Sequence, residues 1–317
     1  MALGVCGVTA LFAAHAPVPL GAQAGYRDRY IMANGARLYV ADWGGTGPVL
    51  LFMPGFGNGA HIFDSIAPAF VDRFHVVALT PRGFPPSSAP DWGYTIAQLA
   101  ADVRVVLDSV GGGQAVLAGH SISGAVITHF AEDYPSRLLA AVYLDGAYDF
   151  GAAYRRSREP KPITGPPASV DTTATTYRAW KQRHPDNDPV RERDARMWDI
   201  DSTELSRRQA LVMALANEVR STPHEVWRVQ APALVVCPVG TMEQAFGWLT
   251  PDSTRWKLAF DFVQRARATK REVCEEARRQ LPHGHLLVLE GGHHIFLDQR
   301  DAVIGGMRTF LSANSRP

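Results

Sequence analysis

A serine stands at the centre of Gly119-His120-Ser121-Ile122-Ser123-Gly124. The run before it, Ala115–Gly119, is almost wholly apolar, and a helical pattern follows as far as Tyr134. A serine on so sharp a strand-to-helix turn is lifted out of the sheet in a strained backbone conformation, where its hydroxyl can attack a carbonyl carbon and form an acyl-enzyme. The turn crowds the residues two before and two after the nucleophile, so both must be small. Gly119 and Ser123 meet that demand, with a serine where the usual pattern has its second glycine. Ser123 is a rival nucleophile, but Gly119 ends the strand and sets the register for Ser121. The alternative is an ordinary strand-turn-helix with a capping serine.

Eleven histidines raise the question of a metal. His283 and His285 open the run that ends at Glu290, whereas His293 and His294 follow its far end. A strand of five residues spans about 17 Å, so the two pairs cannot share one ion. A catalytic zinc needs three convergent ligands, and none are visible. The expectation is no metal and no cofactor.

These residues need a scaffold, and the hydrophobic pattern supplies one. Asn34-Gly35 between Arg29–Ala33 and Ala36–Asp42 is a strong hairpin signal. Short, nearly continuous apolar runs then recur at Val49–Met53, His75–Thr80, Ala115–Gly119, Leu139–Asp145, Ala233–Val239 and His285–Glu290. Strands apolar on both faces belong in a parallel sheet covered by helices. Thr95-x-x-Gln98 has the form of a capping box for a helix bearing Leu99, Val103, Val106, Leu107 and Val110 on one face, and Gly111-Gly112-Gly113 ends it. The last helix carries Val303, Met307, Phe310 and Leu311 on one face. The predicted fold is α/β: a mixed, mostly parallel eight-stranded sheet with helices on both faces.

One stretch breaks the alternation. Residues 151–228 hold 25 charged residues in 78, twelve of them arginine, against 20% charged in the whole chain. Pro160, Pro162, Pro166 and Pro167 mark the entry, and Ser202–Glu218 is patterned as a helix. This reads as a mostly helical cap inserted between the sixth and seventh strands, dividing a core of residues 25–150 and 229–317. Insertions after strand ends of such sheets lie over the binding crevice. Tyr154, Tyr177, Trp180, Trp198 and Trp227 either line an apolar pocket or hold the cap together, and the arginines either attract an anion or form a solvated face.

Residues 2–14 are apolar, Pro17 and Pro19 break the run, and Ala22-Gln23-Ala24 is an A-x-A cleavage signature. No Lys or Arg precedes the run, and thirteen residues are too few to span a bilayer. Residues 1–24 are therefore expected to be a signal peptide, which makes the mature protein secreted or periplasmic; without that signal it is cytoplasmic. The cysteines (Cys6, Cys237, Cys274) have no metal-ligand spacing, and pairing of the last two stays open. Of 317 residues, 46% are hydrophobic, which suffices for a buried core, and 32 Lys plus Arg against 31 Asp plus Glu leave a charge of +1. That balance gives no footprint for nucleic acid or an anionic membrane and points to a small-molecule partner; oligomeric state is not legible.

Four motifs in order resemble the α/β-hydrolase superfamily over nearly all of residues 28–313: Met53-Pro54-Gly55-Phe56-Gly57, Thr80-Pro81-Arg82-Gly83, the Ser121 turn and Gly291-Gly292-His293. The chain is most similar to the capped esterase, epoxide-hydrolase and haloalkane-dehalogenase-like branch. That resemblance implies an α/β-hydrolase fold with a hydrolytic triad. The backbone N–H groups of Phe56 and Ile122 would form an oxyanion hole, although Pro54 replaces the histidine common there. His293 would be the general base, with Asp298 five residues on as the family pattern has it; the neighbouring His294 competes. The acid usually follows the seventh strand, but Thr241 holds that position and Glu243 stands two residues late. The other placement follows the sixth strand, at Asp145, 24 residues past Ser121 as in the dehalogenase branch. Asp145 is preferred and Glu243 is the alternative; Asp149 is a minor contender. Epoxide hydrolases and dehalogenases of this fold attack with an aspartate, so a serine favours esters or related acyl bonds. C–C bond hydrolases, lactonases, perhydrolases and aminopeptidases also use a serine on this fold, and some members are receptors or ligand-binding proteins without catalysis.

Overall fold

The structure is a computed structural model that describes residues 25–149, 151, 200–246 and 254–314. The expected signal segment and residues 152–199 of the expected cap lie outside the described residues.

Eight strands form one sheet: β1 (Arg27–Ala33), β2 (Ala36–Gly44), β3 (Val49–Met53), β4 (His75–Thr80), β5 (Ala115–His120), β6 (Leu138–Leu144), β7 (Ala233–Val239) and β8 (Gly284–Glu290). Their order is β1-β2-β4-β3-β5-β6-β7-β8. The pairings β1–β2 and β2–β4 are antiparallel, and all others are parallel. The hairpin closes because Asn34 (φ 45°) and Gly35 (φ 77°) both take positive φ, as a two-residue primed turn requires.

The helices in chain order are α1 (Ile96–Ser109), α2 (Ser123–Asp133), α3 (Ser202–Ser221), α4 (Met242–Phe246), α5 (Thr254–Gln280), α6 (Ile295–Asp298) and α7 (Arg300–Asn314). They cover both faces of the sheet. Along β3, Val49, Leu51 and Met53 join one buried cluster with residues of α1, α2, α3 and α5, while Leu50 and Phe52 join a second cluster with α7. This is the period-two alternation of a strand with apolar side chains on both faces. The edge strand β8 differs from the expectation of a fully buried run: its residues are half-buried or exposed, because only β7 flanks it.

One local expectation needs correction. The α1 cap forms only half of the reciprocal box: Thr95 Oγ1 accepts from Gln98 N at 3.1 Å, but the Gln98 amide donates to Asp102 Oδ1 at 3.2 Å rather than reaching back. Asp102 is a buried carboxylate paired with Arg82, whose Nε and Nη2 lie 2.7 and 2.8 Å from its oxygens, and it draws the Gln98 side chain away from the cap. Arg82, fully buried, also donates to the Asn34 carbonyl, so the Thr80-Pro81-Arg82-Gly83 motif ties the hairpin to α1. Asp145 lies just past the end of β6, where the acid was expected to follow the sixth strand.

Cys237 on β7 and Cys274 on α5 form a disulfide, which closes a loop of sequence separation 37. A cross-link of that span removes about 3–4 kcal/mol of chain entropy from the unfolded ensemble. Cys274→Ser is therefore expected to lower the thermal midpoint of the oxidised protein by several degrees, read by calorimetry. An unchanged midpoint would show that the bond adds nothing.

Candidate active site

All the parallel strands end on the same edge of the sheet, and the turns that leave them carry the expected site residues. Ser121 follows β5 with φ 53°, and Asp145 follows β6 with φ 55°. A side chain in this region costs roughly 1–3 kcal/mol and persists only where the surroundings impose it. Here main chain imposes it on both. Ser121 N donates to Leu144 O at 3.1 Å, and Asp145 N donates to Val236 O at 3.0 Å. A Cβ on Gly124 would meet Gly146 O at 1.9 Å, and one on Gly146 would meet Ser121 O at 2.5 Å. The two turns therefore pack backbone on backbone. Gly119 is held to glycine by the Ser123 carbonyl, 2.9 Å from where a Cβ would sit.

Ser123 occupies the position of the missing second glycine without harm, because its side chain points elsewhere. Its buried hydroxyl donates to Pro54 O at 2.5 Å and so ties the loop after β3 to the start of α2. That loop needs its own glycine: a Cβ on Gly55 would lie 2.6 Å from His120 Nδ1 and 3.0 Å from Ser121 Cβ. The next residue, Phe56, has its ring half in solvent and edge-on to Phe84 at 5.6 Å. The backbone N–H groups of Phe56 and Ile122 donate to no backbone acceptor among the described residues.

His293 comes from the loop after β8. Gly291 N is held by Val239 O at 3.1 Å and Gly292 N by Asp298 Oδ2 at 2.7 Å, which gives Asp298 a structural task. His293 Nδ1 lies 2.6 Å from Asp145 Oδ2. The Asp145 side chain is 4% exposed and the imidazole 46%. An ionised carboxylate only accepts, so Nδ1 carries the proton and Nε2 is the basic nitrogen. His294 is engaged differently, with Nε2 3.2 Å from Asn58 Oδ1. Glu243 falls in α4, and its side chain lies outside the described residues. The acid in contact with His293 is Asp145.

Three residues that the sequence did not single out complete the surroundings. His120 is buried under His293, with ring centroids 4.4 Å apart and Nε2 3.0 Å from the His293 carbonyl. Burial, with His293 and His294 adding to it, pushes the His120 imidazole well below its usual range, so it stays neutral and donates from Nε2. Lys270 of α5 places Nζ 2.5 Å from Asp145 Oδ1 and 2.8 Å from Tyr148 OH. Tyr148 OH in turn donates to Asp145 Oδ1 at 2.9 Å. Burial resists ionisation of Asp145, but the Lys270 ammonium and the His293 hydrogen bond outweigh it and hold the carboxyl well below the usual range. His120 adjoins the serine, so its place at a strand end was a usable signal. Lys270 sits in a charge-rich helix that gives no such signal.

The sequence profile of the alpha/beta hydrolase fold matches residues 48–299. The chain belongs to the alpha/beta-hydrolase family. The eight-stranded, mostly parallel sheet agrees with this. Among curated relatives, a 2-(acetamidomethylene)succinate hydrolase of Mesorhizobium japonicum is 30% identical over 101 residues, 32% of this chain and 36% of that protein. Epoxide hydrolase A of Mycobacterium tuberculosis is 34% identical over 121 residues, 37% of this chain and 38% of that one. The matches thus span only about a third of the relatives' length. A solved E-2-(acetamidomethylene)succinate hydrolase superposes with TM-score 0.65 at 18% identity, covering 90% of this chain and 99% of that one. Est816, titled an N-acyl homoserine lactone degrading enzyme, gives TM-score 0.63 at 19% identity over 89% of this chain and 100% of that one. Among the described residues of this hydrolase-family chain no group of three or more His, Cys, Asp or Glu is placed to hold a metal ion, and no helix is long and apolar enough to cross a membrane.

Proposed function

We propose that this protein is a serine hydrolase that cleaves an ester or related acyl bond of a small molecule. The observation that carries the reading is the Asp145–His293 bond of 2.6 Å, made from a turn that packs main chain on the left-handed strand-end turn of Ser121. In this reading Ser121 Oγ attacks the acyl carbon while His293 Nε2 takes its proton. The Phe56 and Ile122 N–H groups receive the negative charge that develops on the carbonyl oxygen; one such donor contributes about 3–4 kcal/mol in other enzymes. The leaving group takes the proton from His293, and the acyl group stays on Ser121. Water then attacks the acyl carbon while His293 Nε2 takes its proton, and that proton returns to Ser121 Oγ as the carboxylic acid leaves. Asp145 fixes the imidazole tautomer and stabilises the imidazolium without being protonated. The relatives' names, which denote small-molecule substrates, support the substrate class.

A fluorophosphonate probe tests the assignment. The adduct is expected on Ser121 by peptide mass spectrometry. An adduct on Ser123 would move the nucleophile, and no adduct on a folded protein would favour a ligand-binding role without catalysis.

The same proposal includes export. The A-x-A signature at Ala22-Gln23-Ala24 and the Cys237–Cys274 bond support an oxidising compartment outside the cytoplasm. Expressed with its own N-terminus in a secreting host, the recovered protein is expected to begin at Gly25. An intact N-terminus confined to the cytoplasm would overturn export.

A further inference from the structure

The carboxylate of Asp145 divides its two oxygens between different partners. Oδ2 faces His293 Nδ1 at 2.6 Å. Oδ1 receives Lys270 Nζ at 2.5 Å and Tyr148 OH at 2.9 Å, and the tyrosine hydroxyl accepts from the same ammonium at 2.8 Å. The three groups form a closed triangle with Oδ1 at one corner, so rotation of the carboxylate would break two bonds at once. Two of its corners are also anchored from elsewhere. The Lys270 ammonium also sits 4.0 Å from the centre of the Tyr148 ring. The Tyr148 carbonyl is held by His224 Nδ1 at 2.9 Å. The helix that brings Lys270 is fixed to β7 by the disulfide at Cys274, one turn further along.

We infer that Lys270 is a positioning residue of the catalytic pair: it locks the Asp145 carboxylate toward His293 and sets the pH below which the pair takes up a proton. The inference rests on the proposed triad of Ser121, His293 and Asp145. Its physics is a charge balance. With Asp145 ionised and Lys270 protonated the buried cluster is neutral, and a proton on His293 makes it +1. The ammonium therefore opposes that proton while Asp145 favours it. The remaining groups around the imidazole do not supply this effect. His120 is kept neutral by burial. His294 is engaged with Asn58, and Asp298 with the Gly292 N–H. Glu290 at the end of β8 is paired with Arg267 of α5 at the surface. Tyr148 is held in its neutral form by burial and by Asp145. Among the described residues, Lys270 is the cation bonded directly to the pair.

The test is the pH profile of kcat/KM on an activated ester for the full oxidised protein, with Lys270→Gln, Lys270→Met and Lys270→Arg. Because the pair titrates as a unit, the acid limb reports the pair. Both neutral variants are expected to move that limb to higher pH by about one unit, roughly tenfold lower kcat/KM at a fixed pH on the limb. Lys270→Arg is expected to keep it near the wild-type position. Glutamine retains a donor while it removes the charge, so it reads the electrostatic effect even where methionine does not fold. A uniform fall in kcat at every pH, with the limb unmoved in the folded variants, would reduce Lys270 to packing and overturn the inference. Failure of the wild-type protein to turn over esters or to accept a fluorophosphonate on Ser121 would instead overturn the triad, and the two failures are read in separate measurements.

Discussion

Replacing Ser121 with alanine is expected to abolish turnover of activated esters, a loss on the order of 10⁴- to 10⁶-fold in kcat, leaving only what the oxyanion hole and binding contribute. The fold should survive. The side chain is small, and the backbone strain at φ 53° is set by main-chain contacts that the substitution leaves in place. Circular dichroism and thermal melting verify that condition, and burst kinetics on the wild-type protein report the acyl-enzyme directly. Turnover near the wild-type level in a folded Ser121→Ala protein would end the covalent mechanism.

The second large effect is expected at Asp145. Asp145→Asn keeps the size of the side chain but can present an N–H to His293 Nδ1, which favours the wrong tautomer; in a serine protease such a change costs about 10⁴ in kcat. It also leaves the Lys270 ammonium without its countercharge, so a lower melting temperature should accompany the loss. Glu243→Gln is expected to retain most of the activity. The reverse result, with Glu243→Gln inactive and Asp145→Asn active, would move the acid to the turn after β7 and leave Ser121 and His293 where they are.

The parts legible in the sequence are those fixed by local pattern. Apolar runs at β3 to β7 read as two-faced strands because each is buried on both sides, and Asn34-Gly35 read as a turn because both residues must take positive φ. The turns at Ser121 and Asp145 were visible for the same reason: glycines stand where main chain passes close by. What stayed hidden depends on contacts across long stretches of chain. Lys270 reaches Asp145 from 125 residues away, and nothing separates it in sequence from the other cations of α5. The pairing of Cys237 with Cys274 required knowing that α5 packs beside β7. Ser123 looked like a competing nucleophile because its type was evident but its direction, toward Pro54 O, was not. Edge position, which leaves β8 half-buried, follows from strand order and not from composition.

The contact between Gly124 and Gly146 has a consequence for how this chain can diversify. The spacing of the nucleophile turn and the acid turn is set by peptide groups touching peptide groups, with no side chain interposed. Core substitutions can shift side chains by tenths of an ångström and still leave that spacing unaltered, since neither glycine offers a rotamer to readjust. Variation can therefore accumulate elsewhere in the chain while the two turns hold a constant separation. The same contact makes either glycine an abrupt point of failure: one added methyl group forces the two turns apart, and no neighbouring side chain can yield to absorb it.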